Sequence, residues 1–439
     1  MNTITSVEEN ALIISKKEKV VWKKLENGLD VILMRREGVP VVAVDIWYKV
    51  GSRNEKPGKS GFAHLFEHMM FEGSENVGKA EHIKLINDVG GMVNGSTSQD
   101  RTNYWEVVPA NQLELALFLE ADRMRSLKLN QENFENQRDT VKEERRQRID
   151  NQPYMRVLYE LKDEVAYTNY AYKHSVIGSM NDLDRATLED VREFHDLYYR
   201  PNNAVLAIVG EIDIDQTLRL VRRYFENISQ GPPIPPVDLT EPEQTQEKKR
   251  VYTDTFAPFP ATLISYHVPE RTHPDFYVLE IIEKILLDGE SSRMYRKIVE
   301  ENQSALHILG GLDGKFGPGL FFVFAQVHPA SNIGQLLEDI FEEFERIKNE
   351  AVNQDELQKA KNKTMSDWVS KKEMVRTIAD NLCMYTALFN DPELFFSEIS
   401  RFQKISVEDV QQVAHRYFNS KNRTVLEVYP DRKGKGRSI

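Results

Sequence analysis

His64, Glu67 and His68 stand in the run Gly61-Phe62-Ala63-His64-Leu65-Phe66-Glu67-His68-Met69-Met70-Phe71-Glu72-Gly73, which is largely apolar between its bounding glycines. With no internal Gly or Pro, the run reads as a helix, in which residues four apart share a face and lie roughly 6 Å apart along the axis. Two neutral imidazoles so placed can both reach one cation at about 2.0 to 2.1 Å, and Glu67 points toward the same space. That is two metal ligands and a carboxylate able to take a proton from water. The competing reading is an amphipathic helix with two satisfied histidines. An intervening Glu inside an apolar stripe favours the metal.

The elements around this helix have ample chain to draw on. A length of 439 residues exceeds the usual single core, and 40% hydrophobic with 29% charged residues describes a soluble, globular chain of two large or about three smaller domains. No apolar run approaches the roughly 18 residues that a membrane span requires, so no membrane association is expected. Met1 to Lys19 mixes charges with a short Ala11–Ile14 patch and does not read as a secretory signal. A cytoplasmic location is the expectation, or a periplasmic one had a leader been removed. The single cysteine, Cys383, excludes an intramolecular disulfide and a thiolate cage, so a metal here must use His and carboxylate ligands. A net charge of −12 argues against nucleic acid as a partner, which needs clustered positive charge.

Residues 20–50 group β-branched side chains around the turn signal Asn27-Gly28 and read as a hairpin followed by a longer strand. The Gly51–Ser60 loop then leads into the His64 helix. It contains Gly58-Lys59-Ser60, but Arg53 stands where a phosphate loop needs its first glycine, so that signal is weak. Gly90–Val108 reads as a strand pair whose glycines and small polar residues would let another backbone approach. Leu113–Arg125 and Phe134–Ile149 have helical periodicity, and the second carries Glu143 and Glu144. A carboxylate from that helix would complete a His2Glu zinc set with one position open; Glu144 follows His68 after 75 intervening residues.

The chain also repeats itself. Thr187-Leu188-Glu189-Asp190-Val191 before a strand returns as Ser406-Val407-Glu408-Asp409-Val410, 219 residues later. At an offset of 216, Glu280, Glu283 and Lys284 fall where His64, Glu67 and His68 lie, and Gly289 matches Gly73. Two halves thus share one plan, and only the first can hold metal. The proline-rich stretch between them reads as a linker, which divides the chain into 1–229, 230–249 and 250–439.

With its inverted H-x-x-E-H order, the glutamate about 75 residues on and the duplicated plan, the sequence resembles the inverzincin metallopeptidases: pitrilysin, insulin-degrading enzyme and mitochondrial processing peptidase. The likeness runs from about Val20 to Tyr429 and is to the short members, in which two chains of this size pair. It implies an α+β fold of two similar halves, each a mostly antiparallel sheet carrying helices. It implies one Zn2+ per chain on His64, His68 and Glu144, with Glu67 as general base. Asn94 would touch the substrate backbone, and the activity implied is hydrolysis of unfolded peptides in a closed chamber. In relatives an Arg and a Tyr beyond the second-half Ser-Ser-Arg segment hold the oxyanion; here those positions are Val299 and Leu306. The expectation is therefore a heterodimer whose homologous partner supplies that pair. The alternative is a non-catalytic scaffold subunit that retains a zinc site.

Overall fold

A computed structural model describes residues Lys19–Asp431. The signal reading of the first residues and the last eight of the 250–439 half lie outside them.

The hairpin is formed by β1 (Val20–Lys24) and β2 (Asp30–Arg35), and β3 (Val41–Tyr48) follows. β4 (Met92–Thr97), β5 (Thr102–Pro109) and β6 (Ala204–Gly210) complete a sheet ordered β1-β2-β6-β3-β5-β4. β6 reads Ala-Val-Leu-Ala-Ile-Val-Gly and is buried throughout, as a strand covered on both faces must be. It pairs parallel with β2 and antiparallel with β3.

A second sheet joins β7 (Lys248–Asp254), β8 (Ala261–Val268), β9 (Ala305–Asp313), β10 (Gly319–Val327) and β11 (Arg423–Pro430) in the order β7-β11-β8-β10-β9. β11 runs parallel to β7 and antiparallel to β8, so the second sheet repeats the first without a counterpart of β1. The sequence echo is visible in the caps. Thr187 and Ser406 each open a helix, Leu188–Tyr198 and Val407–Tyr417, with reciprocal bonds to Asp190 and Asp409. The fold is thus α+β with two similarly wired sheets.

Two compact units result. The first takes in Met1–Val141, Val176–Pro236 and Val369–Glu398; the second takes in Lys142–Ser175, Val237–Trp368 and Ile399–Ile439. Compactness therefore groups the chain differently from its order, because Val369–Glu398 returns to the first sheet. Its helix Val375–Phe389 buries Ile378, Ala379, Leu382 and Cys383 against β3 and β6. In the second unit the helix Pro274–Leu286 buries eight apolar side chains, seven of them in a large core with β8 and β10. No helix of the described residues is long and apolar enough to cross a membrane.

Candidate metal centre

The predicted helix forms over Phe62–Met69, and Phe62, Ala63, Leu65, Phe66 and Met69 are its buried face. It stops short of Gly73: the N–H groups of Phe71 and Glu72 bond three residues back, to His68 and Met69, which tightens the last turn. Its start is pinned by two glycines. Gly61 has φ +90°, and a Cβ there would lie 2.6 Å from the Ile177 carbonyl oxygen; one on Gly178 would lie 2.4 Å from that of Ser60. Buried Glu55 caps the helix, its two carboxylate oxygens accepting the N–H groups of Gly61 and Ala63 at 2.9 and 2.8 Å. A fixed anion there suits the positive end of the helix. The phosphate-loop reading fails at this junction, because Lys59 pairs with Asp190 and the Ser60 N–H donates to Asp182.

His64 and His68 are half-buried, with ring centroids 4.9 Å apart. Glu144 sits on the last turn of the continuous helix Gln131–Arg145, which begins in the first unit. His64, His68 and Glu144 each offer a ligand atom within 4.8 Å of the others. Tetrahedral zinc with bonds near 2.0–2.1 Å sets its ligand atoms about 3.3 Å apart, so side-chain adjustments of up to about 1.5 Å close the set. Two imidazoles and a carboxylate are a donor set that zinc accepts. One Glu144 oxygen pairs with Arg148 at 2.7 Å; since Arg148 is well exposed, that pair holds the carboxylate only weakly.

Gln137 lies two turns before Glu144 on the same helix. Its Nε2 donates to Glu72 at 2.7 Å, and its Oε1 is 3.3 Å from His68 Nδ1. Lys79 in turn holds the other Glu72 oxygen at 2.7 Å. The amide orientation makes Nδ1 the protonated nitrogen of His68 and leaves the Nε2 lone pair for a metal. Glu67 accepts a hydrogen bond from Thr97 Oγ1 at 2.6 Å. Between them lies Gly95, where a Cβ would stand 3.2 Å from Glu67 Cγ and 3.1 Å from Tyr104. Asn94 is exposed on β4, and strand alternation turns its side chain to the opposite face from Gly95 and Thr97.

A second group, His82, Glu106 and Glu120, also clusters within 4.8 Å but is fully buried. Its cation is already present: Arg123 bonds Glu120, lies 3.7 Å from Glu106 and stacks on Phe71 and Tyr104. Burial, with Arg123 beside it, pushes His82 down to about 3, which keeps it neutral. The group is therefore a structural support behind β5.

Residues 30–179 match the family Insulinase (Peptidase family M16), and residues 185–364 match the Peptidase M16 inactive domain. The zinc protease PqqE of Helicobacter pylori is 31% identical over 409 residues, which is 92% of each chain. The chain belongs to peptidase family M16. A crystal structure of a protease from Helicobacter pylori matches this M16 chain with a TM-score of 0.90 over 94% of it and 100% of that chain, at 31% identity. The mitochondrial-processing peptidase subunit beta of Bos taurus is 23% identical, covering 98% of this chain and 88% of its own. M16 relatives are thus named as zinc proteases and as a processing-peptidase subunit.

Three supports of the site escaped the sequence reading. Gln137 had a signal, since it lies seven residues before Glu144 and so on the same helix face; Thr97 had another, two places after Gly95 on one strand face. Glu55 had none, because its loop is brought back to the helix start only by the fold. Val299 lies within the helical segment Tyr295–Glu301, partly buried against the second core, and Leu306 is exposed on β9. Tyr295 also packs against that core.

Proposed function

We propose that this chain is the zinc-bearing subunit of an endopeptidase. The observation that carries the reading is the convergence of His64, His68 and Glu144 beside Glu67, which faces the end strand β4. His64, His68 and Glu144 would hold Zn2+, one per chain, and the ion would supply Lewis acidity toward a scissile carbonyl. Glu67 takes the proton of the attacking water and delivers it to the leaving amine. Thr97 steadies Glu67 by donating to the oxygen it does not use, Gln137 fixes the ring of His68, and Glu55 anchors the helix that carries both histidines. An unfolded peptide lies along the open edge of β4 as an added strand, with Asn94 beside its backbone.

Because Val299 and Leu306 occupy the places of the expected Arg and Tyr, the oxyanion donors come from a homologous partner chain. The two repeats, 1–229 and 250–439, divide the work: the first carries the metal ligands, and the second, which holds the larger part of the 185–364 inactive-domain match, is a degenerate copy. A scaffold role is the second reading, and that inactive-domain match is what favours it. Intact ligands and base in the first half weigh against it.

Two measurements decide. Zinc analysis and peptide cleavage by the chain alone should give stoichiometric metal with slow turnover, which rises on adding a homologous partner; full activity of a strictly single-chain preparation would remove the heterodimer. Glu67→Gln should lower turnover by about 10² to 10⁴-fold while zinc stays bound. An assembly that works equally well with Glu67→Gln would make the chain a scaffold.

A further inference from the structure

β4 ends the first sheet, so one row of its N–H and C=O groups is open to an added strand. Gly95 and Thr97 turn toward Glu67. Met92, Asn94 and Ser96 turn to the other face, where Asn94 is paired with Trp105 of β5. That face carries an apolar ledge, since Met92 is 60% exposed, and it ends in a guanidinium: Arg376, from the helix Val375–Phe389, stands 4.8 Å over the Trp105 ring.

Arg376 has no ion-pair or hydrogen-bond partner among the described residues. The carboxylate one turn along its helix, Asp380, instead accepts from Trp47 Nε1 at 2.9 Å and Asn103 Nδ2 at 3.4 Å. A second cation, Arg101, lies on the same face, bonded to the Ser96 carbonyl and hydroxyl at 2.7 Å and set over Trp47. In a chain of net charge −12, a guanidinium held by stacking alone keeps its donors unspent.

A peptide strand added to β4 alternates its side chains, as β4 does. Those facing away from Glu67 pass over Met92 and Asn94 toward Trp105. We propose that Arg376 is a specificity residue that binds the carboxylate of an Asp or Glu side chain on this face of the peptide, and that Arg376 and Arg101 together exclude Lys and Arg there. This rests on the peptidase reading.

The test uses the full-length, zinc-loaded chain, alone and with its homologous partner. It compares fluorogenic ten-residue peptides that carry Glu, Gln or Lys at each position in turn. At positions of one parity, kcat/KM should favour Glu over Lys by about tenfold, and the preference should shrink with salt. Arg376→Gln should abolish the ratio, and Arg376→Glu should reverse it; Trp105→Phe, which keeps a stacking surface, should retain it. An unchanged Glu/Lys ratio in Arg376→Gln and Arg376→Glu, with the Gln peptides still cleaved, overturns the role of Arg376 and leaves the peptidase reading standing. If no peptide is cleaved and the Glu67→Gln chain binds none, both readings fall.

Discussion

The helix Phe62–Met69 and its counterpart Pro274–Leu286 are one device built twice, once with two imidazoles and once without. His64 and His68 correspond to Glu280 and Lys284, and Glu67 corresponds to Glu283. Even the gap in front of the central carboxylate is kept: Gly311 stands to Glu283 as Gly95 stands to Glu67. At each device a second helix brings a carboxylate to its end. At the first it is Glu144, near two imidazoles. At the second it is Asp367, from Gln354–Ser370, bonded with Asp288 to the Lys284 ammonium at 2.7 and 2.8 Å. An ammonium neutralises the acids without offering a lone pair, so the second site is closed by its own side chains. The lesson is that the fold places the groups, while two residue types decide whether the place offers metal-ligating lone pairs or closes as an ion-pair cluster.

The largest expected effect separates the two central carboxylates. Glu67→Gln should lower peptide turnover by about 10² to 10⁴-fold, the usual worth of a general base, whereas Glu283→Gln should leave turnover in place. Equal losses would mean that the second device is also in the catalytic path. Next in size is the orientation of His68. Gln137→Ala should weaken zinc about 10 to 100-fold in competition with a chelator, and Gln137→Glu, which keeps an acceptor for Nδ1–H but sets a second carboxylate against Glu72, should restore part of it. If both variants bind zinc like the parent, Gln137 only packs.

The smallest effect is on stability. Burial pushes the Glu283 carboxyl up to about 7; Lys284 opposes the shift, and Glu280, Asp288 and Asp367 add to it. The ordinary value is 4.5, so between about pH 4.5 and 7 the folded unit keeps a proton that the unfolded chain has released. Stability should therefore fall as pH rises through that window and level off above it. Melting curves from pH 5 to 8 should show a decline of a few degrees that is smaller in Glu283→Gln. An identical decline in the variant would place the titrating group elsewhere.

Much of this was legible in residue order. The hairpin at Asn27-Gly28 and the paired strands at 92–109 follow local signals, as do the caps at Thr187 and Ser406. The triplet His64, Glu67 and His68 is set by helical period alone. The return of Val369–Glu398 to the first sheet was not legible, because its apolar helix would suit either core. Nor was Arg123 as the cation of the His82 cluster, since its partners converge only when β5 and two helices pack.

Residue order alone sets which groups could do chemistry and that the second half lacks the two histidines, because ligand type and spacing within one helix are local properties. Packing alone brings Glu144 within 4.8 Å of the two histidines, sets Thr97 against Glu67 and Gln137 against His68, and carries Arg376 over Trp105 without a carboxylate. Each of those depends on the packing of segments tens to hundreds of residues apart, where burial and hydrogen bonding of the whole unit select one arrangement among many that the local pattern allows.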